Sequence, residues 1–83
     1  MRAITTRQLE RTLNRHYLGG KWVLARSEVV RERQTWTFMN MAGRMVGIID
    51  HGTHLALHDS QNPNDSPENP SLRLSKGKKI KPL

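Results

Sequence analysis

The chain has 83 residues, no cysteine, and 14 Lys and Arg against 7 Asp and Glu, a formal charge of +7. That length allows one small domain with a thin core, and the missing cysteines exclude disulfide scaffolds, thiolate metal sites and cysteine nucleophiles. The charge favours polyanionic partners such as nucleic acid, an anionic membrane or an acidic protein face.

Ile4-Thr5-Thr6-Arg7-Gln8-Leu9 carries two helix-start signals. Thr5 with Gln8 makes a capping box, and Ile4 with Leu9 a hydrophobic staple. A helix is expected from Thr6 to Leu18, with Leu9, Leu13 and Tyr17 as its apolar stripe and Gly19-Gly20 as a left-handed exit. Arg7, Arg11 and Arg15 recur every four residues and share another face, with Arg2 just beyond the start. They form a candidate phosphate-facing ridge.

Lys21 to Val30 is expected as a first strand, Gln34 to Asn40 as a second, Arg44 to Asp50 as a third and Thr53 to His58 as a fourth. A three-residue loop at Met41-Ala42-Gly43 pairs Phe38 with Val46 and Trp36 with Ile48. A two-residue turn at His51-Gly52 pairs Ile48 with Leu55 and Val46 with Leu57. Both turns place Trp36, Phe38, Val46, Ile48, Leu55 and Leu57 on one face, which the helix should cover. A loop at Arg31-Glu32 would add Val23, Ala25, Ser27 and Val29 to it. The opposite face then displays Trp22, Leu24, Met39, Met45 and Ile49, apolar enough to suggest a docking partner or a second copy of the chain.

From residue 59 the composition changes. Residues 59–71 are rich in Pro, Asn and Ser and are expected as a disordered linker; residues 72–83 are expected as a flexible basic arm with Arg73, Lys76, Lys78, Lys79 and Lys81. Residues 1–58 would form the folded domain. The fold class expected is α+β, one N-terminal helix packed on a three- to four-stranded antiparallel β-meander with a disordered basic C-terminal tail. One helix followed by three strands, Thr6 to Asp50, resembles the front of a double-stranded-RNA-binding domain in topology. The resemblance ends at Asp59, where that family has a closing helix, and no residue role is taken from it.

No motif carries catalysis. Carboxylates are few and unpaired, Ser27 has no activating base beside it, and Gly19-Gly20 does not open a helix. His54 and His58 lie about 13 Å apart along a strand at ~3.3 Å per residue, too far to share an ion. The expectation is therefore a non-catalytic protein with no metal, cofactor or small-molecule substrate. The first twenty residues lack a signal-type apolar core and no run approaches the ~20 apolar residues of a membrane span. A cytoplasmic location without a membrane partner is expected.

The leading functional expectation is an accessory or regulatory factor that binds DNA or RNA. Arg7, Arg11, Arg15, Arg26, Arg31, Arg33, Arg44, Lys76, Lys78, Lys79 and Lys81 would contact phosphates. The alternative is an adaptor or inhibitor that docks a larger acidic protein through Trp22, Leu24, Met39, Met45 and Ile49. A homodimer through the same face or the edge of the first strand is a third possibility.

Overall fold

The computed structural model describes residues 4–83, so the suggested role of Arg2 lies outside the described residues. The elements run α1 (Thr6–His16), β1 (Val23–Val30), β2 (Arg33–Met39), β3 (Met45–Asp50), β4 (His54–His58) and β5 (Leu72–Ser75). The five strands form one antiparallel sheet in sequential order.

Helix α1 starts as its sequence dictates. The Gln8 N–H donates to Thr5 Oγ1 at 3.2 Å, and the Thr5 N–H donates to Gln8 Oε1 at 3.0 Å, closing the capping box. Leu9, Thr12 and Leu13 are buried. The helix ends two residues before the expected Leu18: Tyr17 is an extended cap whose N–H donates to Leu13 O at 2.8 Å. Leu18 is exposed, and Gly19 and Gly20 serve the following loop rather than the helix exit. Gly19 has φ +148°, and a Cβ there would sit 2.4 Å from the ring of Trp22. Only glycine lets the backbone pass that close to the indole.

The β2–β3 pairing is the expected one, with Trp36 opposite Ile48 and Phe38 opposite Val46. The β3–β4 pairing is displaced by two residues, so that Ile48 faces Leu57 and Asp50 faces Leu55. The cause is local. Asp50 Oδ1 accepts the Gly52 N–H at 2.8 Å, and the His51 N–H donates to His54 O at 2.9 Å, giving a four-residue loop instead of a two-residue turn. An even displacement leaves each side chain on its expected face.

Strand β1 departs by an odd number. Val30 pairs with Arg33 across Arg31 and Glu32, both at positive φ, and Ser27 faces Trp36 as expected. Between Leu24 and Arg26 the register shifts, a β-bulge that takes up Ala25. Leu24 therefore lies opposite Phe38, and Trp22 beyond it is fully buried. The expectation that Trp22 and Leu24 face outward is corrected by this one extra residue; Trp22 belongs to the core and Leu24 packs against it.

The segment expected to be disordered is built into the fold. Leu72 to Ser75 pairs with β4, Leu55 lying opposite Leu74 and Leu57 opposite Leu72, and Leu74 is fully buried. The strand count is thus five, not three to four. Residues 59–71 make a turn-rich loop organised by Asp65, whose carboxylate accepts the Asp59 N–H, the Ser71 N–H and the Ser71 hydroxyl. After β5 the chain turns back: the Ser75 N–H donates to Lys81 O at 2.8 Å and the Leu83 N–H to Arg73 O at 2.9 Å. Ile80 packs against the core.

This arrangement makes the C-terminal segment part of the stable unit. Leu74→Ala should lower stability by about 2–5 kcal/mol, the range for removing a buried leucine side chain, whereas Leu83→Ala, exposed at the end of the chain, should change it little. Urea unfolding of the two variants checks this, and equal stabilities would contradict an ordered β5.

Candidate nucleic-acid interface

Because Leu9 and Leu13 turn inward, the helical period turns Arg7, Arg11 and Arg15 outward, and all three are exposed. Thr12 lies on the flank between these two faces. Its hydroxyl oxygen is 2.8 Å from Gln8 O and 3.1 Å from Ile80 O, one hydroxyl hydrogen serving two carbonyls. That contact fixes the C-terminal segment along the helix. Lys79 and Lys81 flank Ile80 and are exposed, while Arg11 and Arg15 flank Thr12. The contact sets the backbone of the segment carrying Lys79 and Lys81, 68 residues further along the chain, against the helix that carries Arg11 and Arg15.

Other expected phosphate contacts are committed within the protein. Arg44 is half-buried; its Nη2 donates to Asp59 Oδ2, and its guanidinium lies 6.0 Å from the Tyr17 ring. The Tyr17 hydroxyl donates to the same Asp59 oxygen at 2.6 Å. Lys76 Nζ donates to both oxygens of Asp50, at 2.9 and 3.0 Å. Arg44 and Lys76 are thus each paired with an aspartate, at the end of β4 and the end of β3 respectively, and that pairing competes with the phosphate contact expected of them. Arg26 reaches Glu28 at 3.5 Å in an exposed pair worth little. Arg33 donates to Asp50 O at 3.4 Å. Arg31 sits exposed in the β1–β2 turn, and Lys78 is exposed in the turn after β5.

The aspartates share one feature. Asp50 pairs with Lys76, Asp59 with Arg44, and Asp65 with His58 at 2.9 Å. Burial opposes ionisation of each carboxyl, but hydrogen bonds outweigh it. Those from Gly52 and Lys76 lower Asp50, those from Arg44 and Tyr17 lower Asp59, and those from Ser71 and His58 hold Asp65 at about 2. Burial raises Tyr17, and the bond to Asp59 adds to it. His51, stacked on His54 at 5.2 Å, is lowered by burial and by the charge of Arg33. With all three aspartates turned to internal partners, the carboxylates left to offset the surface cations are Glu10, Glu28, Glu32 and Glu68.

Among the described residues, no helix or second sheet lies over the sheet face away from α1. Met39 and Met45 pair across β2 and β3 and are 38% and 50% exposed, with Ile49 half-buried nearby. Arg26, Arg33 and Arg73 stand on the same face. The docking surface expected from five apolar residues is reduced to three, since Trp22 lies in the core and Leu24, on the same side of the sheet, packs against it. On the covered face, an open cleft of about 860 Å³ lies beyond the helix start, with Trp36, Gln34 and Ser27 at its floor and Lys76 and Lys78 at its side. Gln34 Nε2 donates to Ser27 Oγ at 2.8 Å.

Among the described residues, no group of three or more His, Asp or Glu converges as metal ligands do, and no helix is long and apolar enough to cross a membrane. Sequence reasoning missed Thr12 and Ile80 as the anchors of the basic surface, and Arg73 as part of the open face. The alternation Leu72-Arg73-Leu74 was the available signal.

No family model, curated protein or solved structure matches the chain.

Two outcomes follow from these pairs. Arg44→Met leaves Asp59 buried with its charge unmatched, so it should destabilise the fold by about 3–5 kcal/mol; at low salt, where the variant is still folded, the salt dependence of any polyanion binding should be unchanged. The Asp65 carboxyl, lowered from near 4 to about 2, contributes stability that is present above pH 4 and is lost as pH falls toward 2. Asp65→Asn should therefore be less stable than the parent at neutral pH, with the gap closing between about pH 4 and 2. Urea midpoints across that range measure it, and a gap that persists at pH 2 would assign the loss to packing instead.

Proposed function

We propose that the chain is a small non-catalytic nucleic-acid-binding protein, acting as an accessory or regulatory factor that grips the phosphate backbone. The observation that carries the reading is the Thr12–Ile80 contact, which sets the segment carrying the C-terminal lysines against the helix that carries the arginines. Internal pairing of Asp50, Asp59 and Asp65 adds to it, because the surface loses carboxylates that would compete with phosphate. Arg7, Arg11, Arg15, Lys79 and Lys81 supply the contacts, with Lys78 beside them.

Exposed guanidinium and ammonium groups neutralise phosphates without reading base edges, so binding is sequence-tolerant and falls steeply with salt. The arginines add bidentate contacts to phosphate oxygens that lysines cannot make. Anchoring the lysines through Ile80 reduces the ordering cost that a free arm would meet on binding.

Fluorescence anisotropy with labelled duplex and single-stranded oligonucleotides, titrated across salt concentration, tests the reading. Replacing Arg11, Arg15, Lys79 and Lys81 together with Ala should reduce the slope of log K against log salt by about 3, with the fold intact by circular dichroism. Absence of binding by the unaltered chain at low salt would end the proposal.

A further inference from the structure

The two edges of the sheet are treated differently. Beyond β5 the returning chain covers the backbone through the Ser75–Lys81 and Leu83–Arg73 hydrogen bonds, and Pro82, opposite Leu74, offers no N–H to a further strand. Nothing among the described residues covers β1. It is the longest strand, with eight residues, and seven of them are exposed, Val29 at 67% and Val30 at 44%. It contains no proline or lysine; the features that can blunt this edge are the bulge at Ala25 and the charges of Arg26 and Glu28, and from Arg26 to Val30 its pairing is regular.

The β1–β2 hydrogen bonding decides which backbone groups remain free. Val30 and Arg33 flank a two-residue turn and form a hydrogen-bonded pair, so the alternation sends the N–H and C=O of Glu28 and Arg26 toward β2. The corresponding groups of Val29 and Ser27 point away from the sheet. We propose that β1 pairs with β1 of a second copy of this chain, antiparallel about a two-fold axis at Ser27, to give one continuous sheet through a homodimer.

The register rests on charge. With Ser27 facing Ser27, Arg26 of each copy lies opposite Glu28 of the other, in the non-hydrogen-bonded positions where side chains approach closest. The two-fold axis makes this ion pair twice, and Val29 comes beside Ala25 of the second copy. An axis at Glu28 would oppose like charges, and one at Val29 would set Glu28 opposite Val30 and move Arg26 opposite Glu32, outside the strand in the β1–β2 turn. The Arg26–Glu28 contact within one chain is 3.5 Å long and exposed, and leaves both groups able to turn to a second copy.

This inference is independent of the nucleic-acid reading, and sedimentation equilibrium without nucleic acid tests it. The unaltered chain should form dimers as concentration rises from low micromolar to millimolar. Glu28→Lys sets like charges opposite one another twice and should weaken dimerisation by about tenfold or more. Ser27→Pro removes an N–H that β2 does not use and should abolish dimerisation. Exchanging the charges, R26E together with E28R, should retain it. Thermal melts check that each variant is folded; should Ser27→Pro fail to fold, the two charge variants still decide. A chain that stays monomeric throughout, a dimer indifferent to Glu28→Lys, or loss of the dimer in the exchanged variant each overturns the proposal.

Discussion

Most of the architecture depends on the burial of Trp22 at the junction of helix and sheet. A helix of eleven residues cannot cover five strands, and the indole fills the space beyond its last turn. Its position is held by polar contacts. The Trp22 N–H donates to Asn14 Oδ1 at 2.7 Å, Asn14 Nδ2 donates to Trp22 O at 3.3 Å, and the indole Nε1–H donates to Tyr17 O at 3.3 Å. One asparagine thus satisfies both backbone groups of a residue that has left the helix and not yet joined the sheet. Gly19 yields room for the ring, and Asn40 Nδ2 donates to Gly19 O at 2.5 Å, tying that loop to the β2–β3 turn. The bulge at Ala25 follows from the same demand. With Trp22 and Leu24 inward and Ser27 also inward, strict alternation fails by one residue, and the bulge absorbs it.

From Trp22 the packing passes into a polar chain. Tyr17 lies 6.1 Å from the indole, its hydroxyl reaches Asp59, and Asp59 holds Arg44. These contacts join the end of α1, the start of β3 and the end of β4. A buried carboxylate has to be matched to remain charged, and here it is matched by one cation and one hydroxyl, with the Gln61 N–H on its other oxygen at 3.0 Å. Arg44 Nε is left buried without a partner, the one such side-chain atom among the described residues. The pair therefore specifies how the elements meet more than it adds net stability.

What could be read from the residues follows the distance over which each signal acts. The helix start was legible because Thr5 and Gln8 satisfy one another within four residues. The β2–β3 register was legible because Gly43, at φ +81°, closes a three-residue loop. The β3–β4 register erred by two because the side chain of Asp50, not the backbone pattern, determines the loop. The bulge in β1 answers to a tryptophan packed against a helix, which alternation along one strand cannot show. Leu72 to Ser75 is four residues beside a Pro- and Asn-rich loop, and its reason for being a strand lies in β4, whose Leu55, Ala56 and Leu57 are all buried and need a neighbour on that side. The candidate site divides in the same way. The shared outer face of Arg7, Arg11 and Arg15 was legible from helical period, whereas the pairing of Arg44 and Lys76 was not, because their aspartates are partners only in three dimensions.

The C-terminal segment shows how stability and surface chemistry come to depend on the same residues. A single-layer sheet of this size has little apolar surface to bury, so each anchor counts. Leu74 and Ile80 supply two, and both lie in a stretch whose other residues are mainly lysine, serine and glycine. In an unfolded tail those lysines would be spread over many positions. The Thr12–Ile80 hydrogen bond fixes the segment that carries Lys79 and Lys81 against the helix that carries Arg11 and Arg15, so that these charges are held on the folded unit. The aspartates act in the opposite sense: each is drawn inward to a partner that fixes a loop or a strand end. Internal pairing leaves net charge unchanged: it withdraws Arg44 and Lys76 along with the three aspartates, while the helix arginines, Lys79 and Lys81 stay exposed to solvent. The basic surface is thus a consequence of how the fold satisfies its buried carboxylates as well as of the number of its cations.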